Sequence, residues 1–275
     1  MELTTEQLES AKVKLKQYLP HSIKVYGYLQ QKLRTSQSDP VKFFVDQWPD
    51  FSVVVCKPIC EKEEDLFKDI DVFANNEATL EEIIRNSKVF DWSKAFCVGT
   101  HLVNRAIFAT VALEKHTVCR HLAVCQRLIL EDVSSLPDIN CAGISIGSLN
   151  ESHIEIVIKT WKFGRKDAWG MIKNMVFNFP SCCILDAEGR PVSWVLTYAC
   201  GSMGMLYTVP EHRGKGYAKM VISALARRFF TEGYPVYCFI EEDNTVSCQL
   251  FKGLGFTEDD PTYRECWFDF TPSAT

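Results

Sequence analysis

Residues 201–218, GSMGMLYTVPEHRGKGYA, constrain what this chain can fold into more than any other stretch. The apolar run Met203 to Val209 reads as a strand and stops at Pro210. A short basic loop follows, His212-Arg213-Gly214-Lys215-Gly216, and a long amphipathic segment opens at Tyr217. Strand, glycine turn and helix start, in that order, make a phosphate cradle. The glycines let backbone N–H groups turn inward, and the helix adds the positive end of its dipole. Arg213 and Lys215 supply full charge. The stretch therefore predicts a grip on a ligand that carries a diphosphate.

The bulk numbers narrow the partner. With a net charge of −5, a general nucleic-acid binder is not expected, so the basic loop is a local patch for an anionic ligand. Twelve cysteines could pair, but Cys182, Cys183, Cys200 and Cys238 sit in apolar, strand-like runs, as buried thiols do. No Cys-x-x-Cys and no Cys/His cluster with zinc spacing occurs, so no metal site is expected. A reduced, intracellular compartment fits, and no run has the length of a membrane span. The N-terminus carries Glu2, Glu6 and Glu9 and no secretory apolar region, so the expected location is cytoplasmic.

Along the chain, helices are expected over the first residues after Thr4 or Thr5 and over Ile23 to Leu33, by apolar spacing. Strands are expected at Val53 to Cys56, Phe67 to Phe73, Lys94 to Val98 and Arg120 to Leu130, with helices at Ala78 to Asn86 and Leu102 to Glu114. The polar, proline-containing Ser134-Ser135-Leu136-Pro137-Asp138 reads as a linker, which places a boundary near residue 140 between domains 1–140 and 141–275. The second half reads β-α-α-β-β-β-loop-α-β-α-β. It has a hairpin turn at Asp186-Ala187-Glu188-Gly189, a helix stop at Gly233 and a last strand over Cys266 to Phe270. The first half looks like a shorter copy of that order. The class is α/β (α+β).

Arg213-x-x-Gly216-x-Ala218 fits the acyl-CoA signature of the GNAT acyltransferase superfamily, and Asn244…Leu250-Phe251-x-x-Leu254-Gly255-Phe256 resembles its late element. A P-loop would need Gly-Lys-Ser/Thr, and a dinucleotide fingerprint a third glycine with an acid about twenty residues on. Further segments carry a closer resemblance, among them Trp48-Pro49-Asp50-Phe51, Val89-Phe90-Asp91-Trp92, Pro191-Val192-Ser193-Trp194 and Tyr207-Thr208-Val209-Pro210-Glu211-His212-Arg213. These resemble the glycine N-acyltransferase family, and within it the glycine N-acyltransferase-like proteins.

The resemblance implies two tandem GNAT-like domains, each a mixed, mostly antiparallel sheet flanked by helices, the first non-catalytic and the second catalytic. It implies acyl-CoA as cosubstrate with no prosthetic group, and transfer of the acyl group to the amine of glycine or a similar small amino acid such as glutamine. Some members of that family are mitochondrial. Leu206, Tyr207 and Val209 would line the pantetheine arm, and a strand N–H would polarise the thioester carbonyl. The N–H groups of Arg213, Gly214, Lys215, Gly216, Tyr217 and Ala218 would hold the diphosphate, and Asn244 would bond the pantetheine.

The acceptor ammonium must lose a proton, so a base is expected. Here the chain departs from the family pattern: Ser202 stands where the glutamate base is expected, and Phe251 where many relatives place a tyrosine acid. Glu241, Glu242, Asp243 and His212 remain as proton acceptors, with Glu242 and Asp243 preferred. Arg264, Arg165 and Lys159 are candidates for the acceptor's carboxylate. His121 and His153 read as structural, and Trp92, Trp161 and Trp194 as core. Two rival readings stand beside the enzyme: a catalytically weak acyl-CoA-binding protein, and an acyltransferase for protein amines.

Overall fold

The computed structural model describes residues 1–34, 41–59, 69–138, 144–164 and 168–273. The chain divides into two compact units. The first comprises Met1–Gln126 and Asp260–Thr275, the second Arg127–Asp259.

The first unit opens with α1 (Thr5–Lys16) and α2 (Ile23–Arg34). There follow β1 (Val41–Val45), β2 (Val53–Pro58), β3 (Ile70–Ala74), α3 (Glu77–Asn86), β4 (Phe96–His101) and α4 (Arg105–Glu114). Thr4 and Gln7 form a capping box at the start of α1, which accounts for the helix beginning where Thr-x-x-Gln occurs. The long strand β5 (Thr117–Leu130) follows, and the C-terminal β11 (Glu265–Pro272) lies antiparallel to both β4 and β5. The sheet of this unit runs β1-β2-β3-β4-β11-β5, antiparallel except for β3 with β4. Alternation along β2 explains why both sheet faces are covered. Val53 and Val55 pack with α3 and α4 through Leu80, Ile84 and Phe108, while Val54 and Cys56 pack with Leu8, Leu15 and Leu29 of α1 and α2.

Two expectations change here. β1 is not among the strands expected from the sequence, because a run of five residues carries little periodicity. The strand expected over Cys266 to Phe270 exists but belongs to the first unit, not the second. Cys266, Phe268 and Phe270 are fully or almost fully buried beside Val98 and Phe108, and that burial draws the chain's end back to the first sheet. The units therefore divide at 126/127 and again at 259/260, in place of one boundary near 140. Position 140 itself lies outside the described residues, as do residues 67 and 68 of the strand expected at Phe67 to Phe73.

The second unit contains β6 (Ser145–Gly147), α5 (Ile154–Thr160), α6 (Trp169–Asn178), β7 (Cys182–Leu185), β8 (Pro191–Thr197) and β9 (Met203–Thr208). These are followed by α7 (Tyr217–Glu232), β10 (Val236–Glu241) and α8 (Thr245–Lys252). Its strands run β10-β9-β8-β7-β6, with β9 parallel to β10 and the others antiparallel. Val221, Leu225 and Phe229 of α7 pack on Cys182, Ile184 and Val195, the one-face pattern that the spacing in α7 predicts. Gly233, at φ 73°, closes the helix as expected. Among the described residues, ten cysteines are free thiols and eight of those are buried. No helix among them is long and apolar enough to cross a membrane.

Candidate functional site

The second unit holds a fork. β9 and β10 run parallel, but their ladder consists of one pair, Met203 with Cys238. Beyond it the arms carry no ladder pairs, and their carboxyl ends are where open α/β sheets bind ligands.

The arm formed by β9 is bent. Its register against β8 shifts between Trp194 and Leu196, so Val195 alone faces both Met205 and Leu206. Met205 takes φ 51°, a left-handed conformation that costs a side-chain-bearing residue on the order of 1–2 kcal/mol. A bulge of this kind lifts backbone groups out of the ladder and re-aims them. Nothing in the composition of Gly204-Met205-Leu206 announced it. Gly204 leaves room for the Tyr198 ring: a Cβ there would stand 2.2 Å from Tyr198 Cε2.

At the open end, β9 runs into the basic loop. Gly214 and Gly216 have φ of 75° and 79°, and a Cβ at either would meet nothing within 4 Å, so conformation and not space demands glycine. Gly216 is the N-cap of the sixteen-residue α7, which carries no side-chain cap and no acid in its first turn. Its first N–H groups, at Tyr217 and Ala218, therefore have no partner within the helix. Arg213 braces the loop: its Nε donates to the Thr208 carbonyl at 3.1 Å and its guanidinium lies 5.6 Å from the centre of the Tyr207 ring. Lys215 is exposed. Leu206, Tyr207 and Val209 are partly buried along the same arm. Leu206, Tyr207, Val209 and residues 213–218 thus lie on one strand, loop and helix start, while Asn244 stands apart from them at the start of the helix α8.

The proton-handling candidates are less well placed. Ser202 immediately precedes Met203 at the closed root of the fork. It is 3% exposed, with its Oγ 3.2 Å from Cys200 Sγ and its carbonyl accepting from the Tyr198 N–H at 2.9 Å. Tyr237 Oη donates to the Cys200 carbonyl at 2.6 Å and fixes the same turn. Glu242 and Asp243 sit in the exposed turn after β10. At about 3.3 Å per residue, Glu242 lies roughly 13 Å along the strand direction from the Met203–Cys238 pair. They stand toward the open mouth, and Glu241 beside them pairs with Lys162. His212 packs its ring 6.1 Å from that of Tyr217, at the loop. No carboxylate accompanies Ser202 on β9, and the preference for Glu242 or Asp243 as base gains nothing from this geometry.

Asn244 accepts a hydrogen bond from Ser247 N at 3.2 Å and caps α8. Phe251 is 3% exposed and packs edge-on against Phe256, a core role. Trp194 is fully buried, as expected. His153 has a partner that the sequence did not reveal: its Nδ1 accepts from the Asn150 N–H at 3.2 Å, and burial lowers its pKa. Of the cations proposed for an acceptor carboxylate, Arg264 belongs to the first unit and donates to the Pro261 and Tyr263 carbonyls. Lys159 is exposed beside Glu155, and Arg165 lies outside the described residues.

Residues 3–180 match the family described as aralkyl acyl-CoA:amino acid N-acyltransferase, and residues 184–267 match one described as FR47-like protein. The chain is 30% identical to glycine N-acyltransferase of Rattus norvegicus over 279 residues, which cover 90% of this chain and 92% of that protein. Among solved structures, a Drosophila protein superposes with a TM-score of 0.84 at 15% identity, covering 100% of this chain and 99% of the other. A tandem GNAT protein from the clavulanic acid biosynthesis pathway gives a TM-score of 0.52 at 13% identity, over 93% and 89% of the two chains. The sheet, the flanking helices and these likenesses fit two GNAT-like units, as the sequence implied.

Proposed function

We propose, from the premise that the chain belongs to the aralkyl acyl-CoA:amino acid N-acyltransferase family, that this N-acyltransferase moves an acyl group from acyl-CoA to the amine of glycine or another small amino acid. The observation that carries the proposal is the fork of β9 and β10, with a bulge at Met205 and a Gly214/Gly216 loop at its mouth.

In this reading the uncapped start of α7 and the loop N–H groups take the diphosphate, with Lys215 adding charge. The pantetheine lies along Leu206 to Val209 between the arms. That brings the thioester to the bulge, where a re-aimed backbone N–H polarises its carbonyl. The amine attacks the carbonyl carbon, the C–S bond breaks, and CoA thiolate leaves. The nitrogen's excess proton passes to water. Ser202 can relay that proton but cannot hold it, so the chemistry rests on positioning an already activated ester.

The discriminating measurement is thiol release from benzoyl-, phenylacetyl- and short-chain acyl-CoAs, each with and without glycine, glutamine and other amino acids. Acceptor-dependent release with glycine as the preferred amine is expected. A second reading, an acyl-CoA-binding protein of low turnover, is favoured by the Ser202 hydroxyl, which engages Cys200 in place of a base. CoA binding with no acceptor-dependent release from any pair would establish it.

A further inference from the structure

The first unit contains a second fork. β3 and β4 are parallel and joined through α3, as β9 and β10 are joined through α7. Their ladder covers Ile70 with Val98 and Asp71 with Gly99, and then the strands part. A cavity of about 400 Å³ occupies the opening, in the range of small-molecule sites. It is lined by Val72, Phe73 and Ala74 at the end of β3, by His101 at the end of β4, and by Asn104 at the start of α4. Tyr18, His21 and Tyr263 close it from the turn after α1 and from the segment before β11.

This cavity cannot hold a diphosphate as its counterpart does. Between β3 and α3 stand only Asn75 and Asn76, with no glycine. Asn76 accepts from Thr79 N at 3.0 Å and caps the helix, and Glu77 places a carboxylate in its first turn. The anion-binding end of the fork is thus filled and negatively charged.

What remains is an uncharged cavity with aromatic rings and amides in its lining. The Tyr263 ring has the His101 ring stacked on it at 4.4 Å with 5° between planes, and the His21 ring at 5.5 Å. The Tyr263 hydroxyl donates to Glu265 at 2.6 Å, which fixes that ring. Phe73 and Tyr18 add a second aromatic pair at 5.4 Å. Asn104 Nδ2 donates to Thr100 at 2.9 Å, and Asn104, Asn75 and Gln17 add amides to the lining. Among the described residues, no lysine, arginine or carboxylate lines the cavity, so a permanently charged ligand would be desolvated without a counter-charge.

We propose that the cleft between the parting ends of β3 and β4 is a second ligand site, taking an uncharged planar aromatic amide, and that it binds independently of CoA. The aromatic walls stack the ring, and the imidazole and amide edges satisfy the carboxamide.

The test is saturation-transfer NMR of the full chain with benzamide, repeated with saturating CoA and with benzoate in place of benzamide. Benzamide should bind, CoA should not displace it, and benzoate should bind more weakly. Ala74→Leu, which fills the slot, should weaken benzamide at least tenfold while the CoA dissociation constant stays the same. Absence of benzamide binding at millimolar concentration, displacement by CoA, tighter binding of benzoate, or indifference to Ala74→Leu would each overturn the proposal. If Ala74→Leu misfolds, His21→Ala at the exposed rim should weaken benzamide several-fold at unchanged melting temperature; unchanged affinity would overturn it equally.

Discussion

The two forks solve opposite halves of one problem. In the second unit the mouth carries two left-handed glycines and an uncapped helix start, while the root carries Ser202, Cys200 and the Tyr237 hydroxyl, with no carboxylate among these groups. In the first unit the mouth is capped by Asn76 and Glu77, and the root is crowded with charge. Lys24 pairs there with Asp71 and, at 2.7 Å, with Glu265, both buried, and Trp267 lies 4.5 Å from the ammonium. Gly99 is required at this root, since a Cβ would stand 2.4 Å from Asp71 Oδ1 and 2.5 Å from Lys24 Nζ. Carboxylates at the root and an open glycine loop at the mouth do not occur in the same fork. The lesson is that shared strand geometry does not confer shared chemistry; the few residues at root and mouth do.

The sharpest way to break this contrast is at the root of the first fork. Lys24→Met should leave Asp71 and Glu265 buried without their cation and cost about 3–5 kcal/mol in urea unfolding. A loss below 1 kcal/mol would mean that the cluster is solvated and not a structural core. At the mouth of the second fork, the double variant Gly214→Val/Gly216→Val should strain or unwind the turn by about 2–4 kcal/mol, weakening CoA on the order of 100-fold by calorimetry. An affinity within threefold of the parent would remove the loop from the site.

Asp69 tests the first root through pH. Burial, reinforced by Asp71, pushes its carboxyl from 3.8 up to about 7. The folded state then keeps a proton that the unfolded chain has lost between pH 4 and 7. Stability should fall as pH rises through that window and level off above it, by on the order of 2–4 kcal/mol. Asp69→Asn should flatten that slope; an unchanged slope would assign it to another group. The smallest expected effect would import a carboxylate into the second fork. Ser202→Glu should raise glycine-dependent turnover about tenfold at saturating acyl-CoA, less than the roughly 100-fold or more of an optimally positioned base because the site is buried beside Cys200. An unchanged or lower rate would show that this position does not address the amine.

Much of this contrast was legible along the chain, and the parts that were not share a cause. Gly214, Gly216, Gly233 and the capping residues act within a few residues of themselves, so their meaning survives in local order. The Met205 bulge was hidden because it exists only as a mismatch between β8 and β9. The pairing of Lys24 with Glu265 joins residues 241 positions apart, and no local pattern hints at it. Arg264 looked available for a substrate carboxylate until the fold showed its guanidinium donating to Pro261 and Tyr263.

By itself the sequence determined most of the order of elements, the basic glycine loop between β9 and α7 and the family, because each is written in contiguous residues whose backbone preferences and charges act locally. Only the tertiary structure decided that β11 returns to the first unit, that Ser202 lies beside Cys200, and that a cavity with aromatic lining stands where the first unit's fork opens. Those outcomes depend on which distant apolar faces bury one another, and that choice is made by packing across the chain.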